Sequence, residues 1–592
     1  MRHPSPTRRW AGPALALTLT AAGAGGFVVL SAPTAPAATG TSATLNGSLD
    51  PLGINTAAWD SNFADSAIAT DLSSADTGLV RYPGGSTADQ YLWQTNAVSG
   101  STEPLDFAQY SSQVDAISDG QKFVTVDYGS DTAADAAAWV TQSKTAAQNV
   151  ALWEIGNEEY GSWETDTHSD PHTASSYATN ALTYMQAMKA ADSNAQICYD
   201  YAMDGSLAPG SGVSGWQSWN DTILQADAAD IDCADVHWYP VDGTPTETVQ
   251  SLLATVGNIP AAATEIHTAL TTYDPSAYFV VGETNISQTA NAWNEEPVGA
   301  LYAAATDLEW LSYGAQSVDW WDTHNYGTPT ADFGMFSSAS SGEPSMDTPY
   351  PPYYGYELAS LVASKGATVG TLSTADSSIY GYYSTPSSGG YDVMLVNSDP
   401  SNAYSLTTAS LGLNSSSEKE YVYDDADPAV VQSTLSGSTV AVPAESIVVL
   451  TGGSGSPSPS APASAPPSAS PTASASTSAS ASPSGSPSGG SGSGAGCSVS
   501  WSLTDSWSGA FQLGFTVTAG SSPITAWKVS YSWPGSQTVT DIWNASDAQT
   551  GAAVDASNLS YNGSLSAGGS TTFGLQASGT PPSSLTGLTC ST

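Results

Sequence analysis

Val150-Ala151-Leu152-Trp153-Glu154-Ile155-Gly156-Asn157-Glu158 is an apolar, strand-like run that ends in polar residues. A second stretch, Tyr278-Phe279-Val280-Val281-Gly282-Glu283-Thr284-Asn285, is built the same way. Working outward, short apolar runs recur at 52–59, 79–85, 123–129, 150–158, 196–202, 234–240, 278–285 and 317–324, which makes eight candidate strands. The segments between them carry a helical period: Val249, Leu252, Leu253 and Val256 fall at i, i+3, i+4 and i+7, as do Leu301, Ala304, Ala305 and Leu308. Eight strands alternating with helices over about 300 residues predict an α/β fold, a closed (β/α)8 barrel of the TIM type. An open doubly wound sheet would want a Gly-rich phosphate loop after the first strand, and none is present.

In such a barrel, catalytic side chains gather at the C-terminal ends of the strands. Glu158 ends the fourth run and Glu283 the seventh, so the two carboxyls can meet across one pocket. A facing pair of carboxyls is what cleavage of a glycosidic bond requires, one as acid/base and one as nucleophile. Other carboxyls read differently. Glu154 shares the parity of Glu158 but lies deeper, as a buried structural carboxylate with a partner; Glu159 reads as loop surface; Asp127, ending the third strand, either lines the pocket or caps the next helix. Asp166, His168, Asp170 and His172 are metal-ligand types, but Pro171 breaks any helix that would align the two histidines. That stretch reads as a polar loop over the pocket mouth, and neither metal nor cofactor is expected. No Ser-centred nucleophile elbow is present.

The ends of the chain bear on compartment. Arg2, Arg8 and Arg9 precede a largely apolar stretch at 14–30, and Ala35-Pro36-Ala37 offers small residues for cleavage, so 1–38 read as a secretory signal peptide and the protein as extracellular. No later run is long and apolar enough to span a bilayer. The 592 residues hold 10 Lys and Arg against 55 Asp and Glu; loss of the three leader arginines takes the net charge from −45 to −48 and leaves Arg81 beside six lysines. Such a surface repels nucleic acid and anionic membrane, but not neutral polysaccharide.

Composition divides the rest. Residues 453–496 are almost wholly Ser, Pro, Ala, Gly and Thr, a linker reaching roughly 35 Å as a coil and on the order of 130 Å if stiffened by its prolines. It separates 39–355, the barrel, and 356–452, read as a small all-β accessory domain, from a module at 497–592.

The barrel resembles clan A of the glycoside hydrolases, retaining enzymes whose acid/base follows an Asn at the end of strand four and whose nucleophile ends strand seven; Asn157-Glu158 and Glu283 match those places. Within the clan it is most similar to the α-L-arabinofuranosidases of family fifty-one, through Arg81-Tyr82-Pro83-Gly84-Gly85, Trp153-Glu154-Ile155-Gly156-Asn157-Glu158 and Glu283-Thr284-Asn285. It departs at Ser86, where that family has Asn. The resemblance implies that Glu158, kept protonated, is the acid/base and Glu283 the nucleophile, with Arg81 holding Glu283 ionised and Asn157 on the sugar 2-hydroxyl. His237 and Tyr239 alternate along the sixth strand toward Glu283, and Trp320, Trp321 and His324 end the eighth, where an aromatic face can support a sugar ring.

The module resembles the family-two carbohydrate-binding modules, β-sandwiches that attach to crystalline cellulose and sometimes xylan. Trp507, Trp543 and Tyr561 stand where that family presents its aromatic strip, and Trp527 reads as core; a bridge between Cys497 and Cys590 is implied. Cys198 and Cys233, in or before adjacent barrel strands, are candidates for a second bridge. The expectation is a secreted, monomeric retaining glycosidase of plant cell-wall polysaccharide, foremost an α-L-arabinofuranosidase on arabinoxylan, tethered to cellulose or xylan. An endo-β-1,4-glycanase and a non-catalytic polysaccharide-binding protein are the alternatives.

Overall fold

The structure, a computed structural model, describes residues 39–592 other than 244–247, 326–330, 341, 375, 414–417, 425–426, 454–490, 494–495, 508–509, 544, 559–562, 566, 568 and 583. The leader at 1–38 and most of the linker thus lie outside the described residues. The chain divides into two compact units, Met1–Ala465 and Pro466–Thr592.

The first unit is built on a closed barrel of eight parallel strands: β1 (Leu52–Asn55), β2 (Leu79–Tyr82), β3 (Gln121–Val126), β4 (Val150–Ile155), β5 (Ile197–Tyr201), β6 (Cys233–Trp238), β7 (Tyr278–Thr284) and β8 (Val318–Trp320). The ring closes where Val318 and Trp320 of β8 pair with Leu52 and Ile54 of β1. Each strand falls inside one of the eight apolar runs or within two residues of it, as the alternation of strand and helix patterns required. The strands are buried on both faces, which is why they read as continuous apolar runs and not as alternating ones. Most are shorter than their runs because the C-terminal residues of each run already turn over the barrel mouth.

The helical periods also appear, as Val249–Ala254 with a tighter turn at Thr255–Asn258, and as Pro297–Ser312. The second of these is apolar nearly all round because it is covered on both sides: the barrel lies beneath it, and Tyr382 of the accessory sheet donates to the Ala305 carbonyl at 3.1 Å. That accessory sheet has seven antiparallel strands, in the order Thr39–Thr44, Thr368–Leu372, Ile379–Thr385, Tyr391–Asn397, Ser446–Gly453, Lys419–Asp424 and Asp427–Thr434. Its edge strand Thr39–Thr44 comes from ahead of the barrel, and the residues that open the expected accessory segment finish a helix, Pro351–Ser360.

In the second unit a five-stranded sheet (Ser491–Ser493, Cys497–Trp507, Ala510–Ala519, Ser570–Ser578, Thr538–Trp543) and a four-stranded sheet (Ser546–Thr550, Ala553–Ser557, Lys528–Ser532, Thr586–Ser591) enclose one core. Ser491–Ser493, which composition assigns to the linker, pairs with Ser498–Ser500 and extends this sheet. Trp527 is buried and stacks on Phe573 with ring centroids 5.3 Å apart, as a core residue does. Both disulfides are formed, Cys198–Cys233 and Cys497–Cys590. Cys198 and Cys233 are register partners on β5 and β6. Among the described residues no helix is long and apolar enough to cross a membrane.

Candidate functional site

Arg81 on β2 is fully buried and donates to four side chains: Nε to Glu154 Oε2 at 2.8 Å, Nη1 to Asn55 Oδ1 at 3.1 Å and to Glu283 Oε1 at 2.6 Å, and Nη2 to Asn157 Oδ1 at 2.9 Å. Asp235 Oδ2 on β6 is 3.5 Å from Nε. Burial works against the charged guanidinium, but Glu154, Glu283 and Asp235 outweigh it and hold Arg81 well above its ordinary value. Burial also raises Glu154 to about 7 against the pull of Arg81. The arginine thus spans strands β1, β2, β4, β6 and β7 and orients Glu283 through a charge-assisted bond.

Glu283 ends β7. Its Oε2 accepts from the Tyr239 hydroxyl at 2.8 Å and lies 3.6 Å from His237 Nδ1. The preceding Gly282 is needed for a close approach: its amide donates to Asp235 Oδ1 at 2.7 Å, and a Cβ there would sit 2.2 Å from that oxygen. Glu158, in the loop that follows β4, has a left-handed backbone, φ 48°. A non-glycine residue held there stores strain, a recurrent feature of functional sites. Its Oε1 is 2.9 Å from His237 Nδ1 and 3.3 Å from the Tyr160 hydroxyl, and Trp163 Nε1 donates to Oε2 at 2.8 Å.

These contacts decide where the proton rests. Burial would raise Glu158, but the hydrogen bonds from His237, Trp163 and Tyr160 outweigh it and leave the carboxyl below its ordinary value. Burial would discharge His237, but Glu283, Asp235 and Glu158 together raise it well above the ordinary imidazole. Both directions favour a charged His237 beside an ionised Glu158, a different placement of the proton from the protonated Glu158 that the resemblance implies. One imidazole nitrogen faces both carboxyls.

The two glutamates open onto a cavity of about 290 Å³, which Ser86, Asn157, Trp163, Glu164, Tyr239 and Trp321 help to line. Gly85 (φ 50°) makes room for that aromatic wall, since a Cβ there would lie 2.7 Å from the Trp321 ring. Glu164 accepts at Oε1 from Ser86 Oγ (2.7 Å) and Asn157 Nδ2 (3.0 Å), while among the described residues its buried Oε2 accepts from no donor.

Several sequence readings need correction. Trp320 does not face the cavity: it is fully buried, packs edge-on against Tyr302 and Tyr356, and donates to the Phe333 carbonyl. His324 is also removed from it, held between Asp60 (3.1 Å) and Asp347 (3.2 Å), whose bonds overcome burial and raise it to about 9. Glu159 is 1% exposed and not loop surface. Asp127 accepts from the Ser130 amide and hydroxyl at 2.7 Å each, so it closes a turn, and Thr132 caps the helix. Trp163 and Glu164 escaped notice because they lie in a loop whose path no periodicity fixes. Asp235 was detectable, two residues before His237 and so on the same face of β6.

In the second unit, Trp507 and Trp543 close the strands Cys497–Trp507 and Thr538–Trp543, and Tyr561 lies outside the described residues. Residues 497–590 match the model of the family described as cellulose binding domain. The C-terminal module is a cellulose-binding domain. The domain is 42% identical over 93 residues to part of Endoglucanase A of Thermobispora bispora, a match over 16% of this chain and 20% of that protein. The chain thus aligns with about a fifth of that relative, through the cellulose-binding domain. The first unit resembles solved structures in fold alone. The α-L-arabinofuranosidase of Thermotoga maritima superposes with a TM-score of 0.54 at 15% identity, over 71% of this chain and 99% of that one. CelM2, a bifunctional glucanase-xylanase from a metagenome library, does so with a TM-score of 0.52 at 16% identity, over 70% and 97%.

Proposed function

We propose that the protein is a retaining glycoside hydrolase of plant cell-wall polysaccharide, an α-L-arabinofuranosidase trimming arabinoxylan, with its cellulose-binding domain holding it to cellulose or xylan. The observation that carries this reading is the pair Glu158 and Glu283, which face one nitrogen of His237 from the C-terminal ends of β4 and β7. Their facing oxygens lie 2.9 Å and 3.6 Å from that nitrogen, which limits how far apart the two carboxyls can stand. They suit the short separation of retaining enzymes, about 5–5.5 Å.

Glu283, oriented by Arg81 and Tyr239, attacks the anomeric carbon as the glycosidic bond breaks and forms a glycosyl-enzyme. Its negative charge is used up in that step, and with it the largest support for the His237 imidazolium. The proton then passes from His237 Nδ1 to Glu158 and on to the departing oxygen. In the second half, Glu158 takes a proton from water as the water oxygen displaces Glu283, and that proton returns to His237 once the Glu283 carboxylate is free again. Asn157 presents its amide to the bound sugar while its oxygen stays on Arg81, and Trp321 offers an aromatic face. A cavity of only about 290 Å³ favours removal of a single terminal sugar over cutting within a chain.

The test is to digest arabinoxylan and carboxymethylcellulose with the full chain and identify the products. Free arabinose from arabinoxylan supports the reading. Xylo- or cello-oligosaccharides without arabinose would make it an endo-glycanase, and no release from any polysaccharide would leave only binding.

A further inference from the structure

Behind Glu158 the loop from 156 to 173 folds back on itself. Glu159, the residue after the acid/base candidate, points inward. It is 1% exposed, and among the described residues neither carboxylate oxygen accepts from an N–H or hydroxyl donor. The carboxyl of Asp89 is close enough to share a hydrogen bond with it, and among the described residues that group's Oδ2 accepts from no N–H or hydroxyl. Asp200, Asp166 and Glu164 add further negative charge, and among the described residues no lysine or arginine pairs with any of these acids. Burial raises Glu159 to about 10 with Asp89 hydrogen-bonded to it, so without a compensating cation this pair holds a proton that a metal ion would displace.

The loop supplies what a cation would use. One ligand atom each from Glu159, Asp166 and His172 lies within 4.8 Å of the other two. Asp166 is fixed by the amides of His168 (2.8 Å) and His172 (3.2 Å), and His168 Nδ1 is 2.9 Å from its Oδ1. His172 is half-buried, with Nδ1 3.3 Å from the Glu159 carbonyl and a left-handed backbone (φ 56°) that turns the ring back toward the loop. Donor atoms around a tetrahedral metal with bonds of about 2.0–2.2 Å stand roughly 3.5 Å apart, so small side-chain rotations close this set.

We propose that Glu159, Asp166 and His172 bind a divalent metal ion, zinc by donor set, which pins this loop beneath Glu158. Two carboxylates and an imidazole with water in the fourth position suit zinc. Calcium would want six or more oxygens. Pro171, which argues against a helical two-histidine site, is no obstacle, because only one of the histidines is used and its partner Glu159 comes from the start of the loop. The ion's work is structural: the pinned loop carries Trp163, which donates to Glu158, and Glu164, which lines the cavity.

The full chain, dialysed against chelator and then against zinc, is analysed for metal content and thermal midpoint. The expected result is about one zinc per chain, a midpoint several degrees lower after chelation and restored by zinc, and a tetrahedral visible spectrum on replacement with cobalt. His172→Ala and Glu159→Gln should each lose the zinc and the zinc-dependent part of the midpoint. Glu159→Gln keeps the shape of its side chain and decides the matter if His172→Ala does not fold. Wild-type protein that retains no zinc and shows no shift with zinc or cobalt overturns the proposal. So does a Glu159→Gln variant that binds zinc as the wild type does.

Discussion

His237 Nδ1 stands 2.9 Å from one glutamate and 3.6 Å from the other, so its charge responds to both. Replacing either glutamate with Ala should cut turnover on polysaccharide by several orders of magnitude and leave the circular dichroism unchanged. On an activated aryl glycoside, azide should rescue Glu158→Ala, because that leaving group needs no acid and azide replaces the activated water; near-wild-type turnover by either variant would remove that residue from the mechanism. In His237→Asn the imidazolium that holds Glu158 ionised is gone, so the pKa of Glu158 should rise. The limb of the pH–rate profile that reports it should then move to higher pH as kcat falls, and an unmoved limb would detach His237 from the acid. Glu283 and Arg81 could be placed from the sequence because each lies one residue from the end of a strand, where position fixes direction, and Glu158 because it follows three residues after β4 ends at Ile155. Glu159 could not. Gly156 (φ 77°) and Glu158 (φ 48°) both turn the chain through the left-handed region, so the in-out alternation of β4 no longer applies, and the side chain that parity would leave in solvent is carried inward.

The same reasoning accounts for what elements revealed and hid. The eight barrel strands announced themselves because burial on both faces keeps them largely apolar, whereas the edge strand Thr39–Thr44 of the accessory sheet is made of Thr, Gly, Ser and Ala, without an apolar pattern to mark it. Trp320 and His324 were misplaced because β8 stops after three residues: Trp320 still belongs to the strand and packs, while the chain beyond Trp321 leaves the mouth. Across β5 and β6 the Cys198–Cys233 bridge closes a loop of 35 residues and ties neighbouring strands in register. Loop-closure entropy makes the paired Cys198→Ala/Cys233→Ala variant less stable by up to about 4 kcal/mol. Urea unfolding of the first unit would check this, and an unchanged midpoint would show that the sheet ladder alone fixes the register. The placement of the glutamates on β4 and β7 carries a prediction of its own: the first product seen by NMR should keep the anomeric configuration of the substrate, and an inverted first anomer would end the retaining assignment.

At the scale of the whole molecule, buried acids set the response to pH. Burial raises Asp50 to about 7 despite Lys365, Asp227 to about 7 with help from Asp230, and Glu154 to about 7 against Arg81. Each binds its proton more tightly folded than unfolded, where the values are 3.8 for Asp and 4.5 for Glu. Their contribution is therefore complete below about pH 4 and lost as pH rises through about 7, so the thermal midpoint should be higher at pH 5 than at pH 8. Asp227→Asn, which needs no proton, should flatten that slope. Truncation after Gly453 should leave activity on soluble substrate nearly unchanged while weakening retention on washed cellulose or xylan, since the linker composition lets the two units act separately. Trp507→Ala or Trp543→Ala in the full chain should reproduce that loss, Tyr561→Ala less so, and sedimentation of the Trp variants like wild type would exclude the aromatic strip. The burial of Arg81 has a last consequence. From residue 39 onward the chain offers an arginine-specific protease one peptide bond, and that arginine is 0% exposed at the centre of the barrel. Cleavage there can proceed only when the barrel itself opens, so the rate at which such a protease cuts the chain in two is a built-in clock for opening of that one unit, blind to the linker and to the cellulose-binding domain.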